Sequence, residues 1–192
     1  MSKKTRPLTK FQFEKFYSTL KECTGIGELN VDDYLIIKKI IKITKPNSIL
    51  EFGFKNGSSS SMWGAASPLS KIISTDVWVK DIQNENAFKI NSIMKGGTFR
   101  LDWIDLHKLI DKKDEYKSDL IFVDGDPYKV EFEVDIAMDL QPKYVVLNNW
   151  FHSRHREEVQ YSANKRGLKL IEAFTTECGL ALLSNPYYPK HD

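Results

Sequence analysis

The chain has 192 residues, 41% hydrophobic and 28% charged, which suits one globular domain with a full core and room for a small helical extension. A net charge of +2 is too small to mark a nucleic-acid binder by bulk electrostatics. No apolar run approaches the ~20 residues of a membrane span. The polar, basic start carries no apolar secretory core, and Cys23 and Cys178 lie far apart without metal-ligand spacing, so reduced thiols and a cytoplasmic location are expected. From Leu8 to Thr24, Phe13, Phe16, Tyr17 and Leu20 recur at helical spacing, with Thr9 placed to cap and Gly25-Ile26-Gly27 to break the helix. A second helix is predicted from about Asp32 to Thr44, with Leu35, Ile36, Lys39, Ile40 and Ile43 along one stripe and Pro46 as its stop. Together they predict an N-terminal helical cap over residues 1–46, ahead of a sheet domain over residues 47–192.

From Asn47 onward, short apolar runs alternate with amphipathic stretches. The predicted strands are Ser48–Gly53, Lys71–Asp76, Thr98–Leu101, Asp119–Asp124, Tyr144–Asn148, Leu168–Phe174 and Leu180–Ser184. Helices are predicted between most of them, over Ser59–Ala66, Asn84–Lys95, Trp103–Lys112, Val130–Leu140 and Arg154–Lys165. Such alternation implies an α/β fold with a mostly parallel sheet covered on both faces. Thr175 to Gly179 is too short for a crossover helix, so the last two strands should pair as an antiparallel hairpin at one edge.

The stretch Glu51-Phe52-Gly53-Phe54-Lys55-Asn56-Gly57-Ser58 joins the first strand to a serine-rich helix start. Glycine serves where φ is positive or where a ligand approaches the backbone, and the free N–H groups of the next helix favour an anion. An acid just before the loop fits a ligand that also carries a cation. S-adenosylmethionine combines a carboxylate, an ammonium and a sulfonium on one short chain. Dinucleotide sites instead use G-x-G-x-x-G with an acid about 20 residues later.

In an open α/β sheet the ligand crevice lies beyond the carboxyl ends of the strands, and here each of five strands ends in a polar residue. Asp76 is placed to accept both hydroxyls of a ribose, and Val77 and Trp78 to lie on the adenine face. Asp102 could accept from the adenine amine while the Trp103 backbone N–H donates to the ring. Asp124 would face the reacting group, with Asp126 capping the helix that follows.

Glu-x-Gly-x-x-x-Gly, the acid after the second strand, Phe122-Val123-Asp124-Gly125-Asp126 and the final hairpin together resemble class I S-adenosylmethionine-dependent methyltransferases. The likeness covers residues 47–185 and is nearest the small O-methyltransferases similar to catechol O-methyltransferase. It implies a Rossmann-like seven-stranded sheet of order 3-2-1-4-5-7-6. It also implies a cofactor held by Glu51, Gly53 and Gly57 at its methionine part, by Asp76 at the ribose and by Asp102 at adenine; Phe54, Val77 and Trp103, their neighbours in the chain, complete the expected cofactor-binding set. Metal-dependent members carry an acidic pair, or an acid and an amide, where this chain has Asn148-Asn149. They often carry His where this chain has Pro127. One carboxylate and two amides would hold a divalent ion weakly, so a metal is not expected.

The implied reaction is methyl transfer to an unidentified acceptor, with an oxygen of a small molecule favoured and nucleic acid left open. Asp124 and His152 are the candidate bases. The segment from Trp150 to Arg156, just past the fifth strand, would form the acceptor side together with the N-terminal helices, its Trp150, Phe151 and His152 beside arginines suiting a planar or anionic molecule. Two other readings remain: an S-adenosylmethionine-binding protein that has lost transferase activity, and a nicotinamide-dependent enzyme, which the glycine spacing disfavours.

Overall fold

The computed structural model describes residues 6–21, 30–77, 80–176 and 179–189; Trp78, both cysteines and Gly25-Ile26-Gly27 lie outside them. The strands form where the chain is continuously apolar. In β1 (Ser48–Phe52), β4 (Leu120–Val123) and β5 (Tyr144–Leu147) nearly every side chain is buried, as a sheet covered on both faces requires. Adding β2 (Lys71–Asp76), β3 (Thr98–Trp103), β6 (Lys169–Phe174) and β7 (Leu180–Ser184) gives one sheet of order β3-β2-β1-β4-β5-β7-β6. The first five strands in that order are parallel, and β7 runs antiparallel to both β5 and β6. This is the predicted order, including the closing hairpin.

The helices cover the two faces. On one side α1 (Lys10–Tyr17), α2 (Asp33–Thr44), α3 (Ser58–Ala66) and α4 (Asp81–Ile93) enclose a core that joins Phe13, Tyr34 and Ile37 to Trp63, Ile49 and Phe122. The N-terminal helices thus share one core with the sheet. On the other side α5 (His107–Asp111), α6 (Lys113–Tyr116), α7 (Val130–Asp139) and α8 (Arg156–Lys165) close over Leu50, Ile121 and Val145. Among the described residues no helix is long and apolar enough to cross a membrane.

Several boundaries differ from the sequence reading for identifiable reasons. Thr9 caps α1 through a reciprocal box with Gln12, but the helix ends at Tyr17. On α2 the buried face is Tyr34, Ile37 and Ile40, while Leu35 and Ile43 point outward. Tyr34 decides that rotation: its ring stacks on Phe13 at 4.2 Å and its hydroxyl donates to the Leu8 carbonyl at 2.7 Å. α4 starts three residues early at Asp81, and the single helix expected over Trp103–Lys112 is replaced by the short α5 and α6. β3 runs two residues further than predicted because Asp102 and Trp103 pair in register with Thr75 and Asp76.

Candidate cofactor and acceptor site

The carboxyl ends of the central strands open onto two cavities that meet at the β1–α3 loop. The larger, of about 920 Å³, extends from Asp124 past Asp76 and Val77 to an apolar wall of Ile104, Leu106 and Phe132. The smaller, of about 300 Å³, sits over β4 and β5, between Asp124, Asn148, Asn149, His152 and His155. Gly53, Lys55, Asn56, Asp124 and Gly125 border both.

Gly53 makes this junction possible. It adopts φ +91°, and a Cβ there would sit 2.5 Å from the Asp124 carbonyl oxygen, so the loop after β1 lies directly on the backbone after β4. Gly57, at φ +83°, caps α3; a Cβ on it would strike the Phe54 ring at 2.7 Å. Gly57 lines neither cavity and acts by shaping the loop, whereas Phe54 is buried and lines the smaller one. The first turn of α3, whose N–H groups lack intrahelical acceptors, borders the smaller cavity at Ser58 and Ser59.

Glu51 does not meet the expectation of direct ligand contact. It is fully buried, lines neither cavity and accepts hydrogen bonds from the hydroxyls of Ser59, Ser60 and Ser74. Burial pushes its carboxyl up to about 7, against the opposing pull of those hydroxyls. The serine run thereby acquires a role: it fastens the start of α3 to β1 and β2.

Asp76 lines the larger cavity as anticipated. Its two oxygens accept the backbone N–H groups of Lys55, at 2.8 Å, and Val77, at 2.7 Å, which hold the carboxylate at the strand end. Val77 is 59% exposed at the same rim. Asp102 and Trp103 line neither cavity. The Asp102 carboxylate accepts from Tyr116 Oη at 2.8 Å and pairs with Arg100 at 2.7 Å, a network that braces α6 against β3. With β3 two residues longer, Ile104 and Asp105 stand where Asp102 and Trp103 were placed.

Asp124 lies at the meeting point, and Asn148 Nδ2 donates to its Oδ1. Burial above all, with the charges of Glu51 and Glu133 adding, pushes Asp124 up to about 8. Glu133 was not singled out from sequence. Its buried carboxylate accepts the backbone N–H groups of Gly125 and Asp126, and burial pushes it up to about 7. An acid in the first turn of the helix after an acid-glycine-acid turn was the available signal. Asp126 caps the short 3₁₀ turn Pro127–Lys129 by accepting from the Tyr128 N–H at 3.0 Å.

Beyond β5, Asn149 takes a left-handed φ of +62° and turns the chain into the cavity wall. His152 lines the smaller cavity, its ring stacked 4.9 Å from His155, which meets Tyr128 edge-on. Trp150 is buried in the core, Phe151 lies against Gly179, and Arg154 lines neither cavity. Of the segment expected as an acceptor surface, Trp150 to Arg156, the two histidines His152 and His155 line the smaller cavity. The N-terminal helices approach through Tyr17, whose hydroxyl lies 2.8 Å from Ser58 Oγ.

No protein-family model matches the sequence, and no curated protein matches it by sequence search. Solved structures do match the fold. A Bacillus cereus O-methyltransferase in complex with SAH is 14% identical, with a TM-score of 0.65 and 90% of each chain covered. The O-methyltransferase TomG from Streptomyces achromogenes, in complex with SAM, is 14% identical with a TM-score of 0.64; 92% of this chain and 87% of that one are covered. A SAH-bound methyltransferase from Podospora anserina is 12% identical with a TM-score of 0.65, covering 94% and 90%. The protein therefore has the Rossmann-like fold of class I methyltransferases. At this identity the likeness establishes the architecture.

Proposed function

We propose that the protein binds S-adenosylmethionine in the larger cavity and transfers its methyl group to an oxygen of a small molecule held in the smaller one. The observation that carries this reading is the junction: two cavities of unequal size share one wall at Gly53 and Asp124. The residues fit the cofactor. Asp76 offers a pre-positioned carboxylate to a ribose diol, Ile104, Leu106 and Phe132 offer apolar surface to adenine, and Gly53 leaves the loop backbone open to the methionine part. A volume of about 920 Å³ falls within the roughly 300–1,000 Å³ of small-ligand sites.

When bound, the cofactor supplies an activated methyl group on a positively charged sulfur. The chain then has to align the acceptor, exclude water and take a proton; alignment alone can contribute ~7–11 kcal/mol. Asp124 is the group we assign to the proton, with His152 on the wall of the same cavity as the second candidate. The N-terminal helices act as a cap on the acceptor side, where the Tyr17 hydroxyl meets Ser58 of the smaller cavity's wall.

Isothermal titration with S-adenosylhomocysteine tests the reading. Binding is expected, and Asp76→Ala should weaken it about tenfold to a hundredfold, the range for a hydrogen bond to a charged group. Equal affinities for wild type and variant would remove Asp76 from the site. Retained binding with no transfer to any acceptor is the result a binding-only protein would give.

A divalent ion does not fit this donor set. Asp124 is the one carboxylate, its Oδ1 already accepts from an amide, and Asn148 and Asn149 bring no charge, whereas hard cations are held by several carboxylate oxygens. Among the described residues no group of three or more His, Cys, Asp or Glu side chains converges on a metal site. Turnover is therefore expected to be unchanged by EDTA. Loss of activity on chelation and its return with magnesium would overturn that assignment.

A further inference from the structure

We infer that Asn86 is a positioning residue that couples the N-terminal cap to the cofactor loop, so that filling the larger cavity and seating the cap on α4 strengthen one another. The inference rests on the cofactor assignment above and concerns a side chain that lines neither cavity. It starts from the inner face of α4. Gln83, Asn86 and Ile90 form the buried stripe of that helix, and two of the three are amides where a helix ordinarily buries apolar side chains. A buried amide must find hydrogen-bond partners, so its partners show what the face is built to hold.

Both amides reach the loop after β1. Gln83 Nε2 donates to the Lys55 carbonyl at 2.6 Å, and Asn86 Nδ2 donates to the Asn56 carbonyl at 2.8 Å. From the other side Asp76 accepts the Lys55 N–H at 2.8 Å. Lys55 adopts φ +48°, a left-handed conformation that a residue with a side chain keeps only where its surroundings hold it, and these three bonds supply the hold. Lys55 and Asn56 border both cavities, so the same bonds set the shape of the wall that a ligand meets.

Asn86 also grips the cap. Its Nδ2 donates to the Lys21 carbonyl at 3.0 Å and its Oδ1 accepts the Lys21 N–H at 3.1 Å, so one carboxamide closes on both backbone groups of the residue four beyond the end of α1. Asn86 is fully buried, whereas the neighbouring ties, Lys21 to Glu85 and Lys89 to the Thr19 carbonyl, lie at the surface where water competes for them. A carboxamide is what this junction requires, because the side chain donates to two carbonyls and accepts from an N–H at once. If the loop moves away, the amide that grips Lys21 loses the bond that orients it. If the cap lifts, the amide that grips Asn56 is opened to water. A ligand that fixes the loop therefore favours the seated cap, and by reciprocity the seated cap raises affinity for that ligand by the same factor.

Hydrogen exchange followed by NMR on the full chain, with and without S-adenosylhomocysteine, tests the coupling. Titration comes first, and absence of binding would overturn the cofactor assignment and this inference with it. With binding established, the Lys21 N–H and the Asn86 side-chain N–H groups should both exchange about tenfold more slowly in the complex, a factor ordinary for coupled sites. That gain is measured beyond any change in α8, which lies across the sheet and reports global stabilisation by the ligand. Binding that leaves either group unchanged would overturn the inference while leaving the cofactor assignment standing. Two variants carry the test to the side chain itself: Asn86→Ala, and Asn86→Asp, which keeps the shape and the acceptor but has no amide N–H for the two carbonyls. Each should bind S-adenosylhomocysteine about tenfold more weakly, matching the protection gained in wild type, and exchange in α1 should no longer depend on the ligand. A purely structural side chain would lower protection of α1 equally with and without ligand, leaving the ligand-dependent gain intact. That result, or wild-type affinity in a folded variant, would overturn the role given to Asn86.

Discussion

Gly53→Ala is expected to abolish detectable S-adenosylhomocysteine binding and to lower the stability of the fold by about 1–3 kcal/mol, the cost of a non-glycine residue held at an unfavourable positive φ. Two effects act together. The new Cβ would lie 2.5 Å from the Asp124 carbonyl oxygen and 2.9 Å from the Gly125 Cα, and neither backbone atom can yield without moving the turn that Glu133 holds. The displaced turn carries Asp124, so both cavities change shape at their shared wall. Circular dichroism and a denaturant titration would show whether the variant folds. A folded variant that binds with wild-type affinity would show that the ligand does not depend on this junction.

Asp124→Asn is expected to lower turnover by about 10²–10⁴, the usual contribution of a positioned general base. S-adenosylhomocysteine binding should persist, because the amide keeps the volume and lacks only the charge. The pH profiles sharpen the test. In the unliganded protein the Asp124 carboxyl is pushed up to about 8, so kcat/KM should rise with pH through that region as the carboxylate forms, and the variant should lose that limb. Stability moves the other way. The folded state holds the proton to about 8, whereas an unfolded Asp releases it near about 4, so this group's contribution is fully present below about pH 4. It is lost as the pH rises through about 8, and Asp124→Asn should flatten that decline. Wild-type turnover in the variant, or an unaltered pH profile, would transfer the proton role to His152.

The architecture was legible in the sequence because it depends on local periodicity. Continuous apolar runs such as Leu120–Val123 read as strands buried on both faces, and the short link from Thr175 to Gly179 allowed only a hairpin. Gly53 and Asp76 were legible for the same reason, since a turn glycine and a strand-end acid have fixed places beside a parallel sheet. Other site positions were not, because they depend on which groups meet across the fold. Asp102 sits in the same kind of sequence context as Asp76, yet β3 runs on past it and Arg100 and Tyr116 take its carboxylate. Glu51 stands just before the glycine loop, yet three serine hydroxyls hold it out of the cavities.

By itself, then, the sequence determined the alternation of strands and helices, the closing hairpin, the glycine loop and the acids that end β2 and β4, while the order of the strands followed from the family resemblance. The tertiary structure alone decided that, within Trp150 to Arg156, Trp150 closes the core while the two histidines line the cavity, that Glu133 holds the turn beside Asp124, and that Asn148 spends its donor on Asp124. The physical reason is distance. Backbone geometry follows from neighbours along the chain, whereas burial, hydrogen-bond pairing and the proton affinity of a carboxyl follow from groups many residues away, brought close only when the sheet closes.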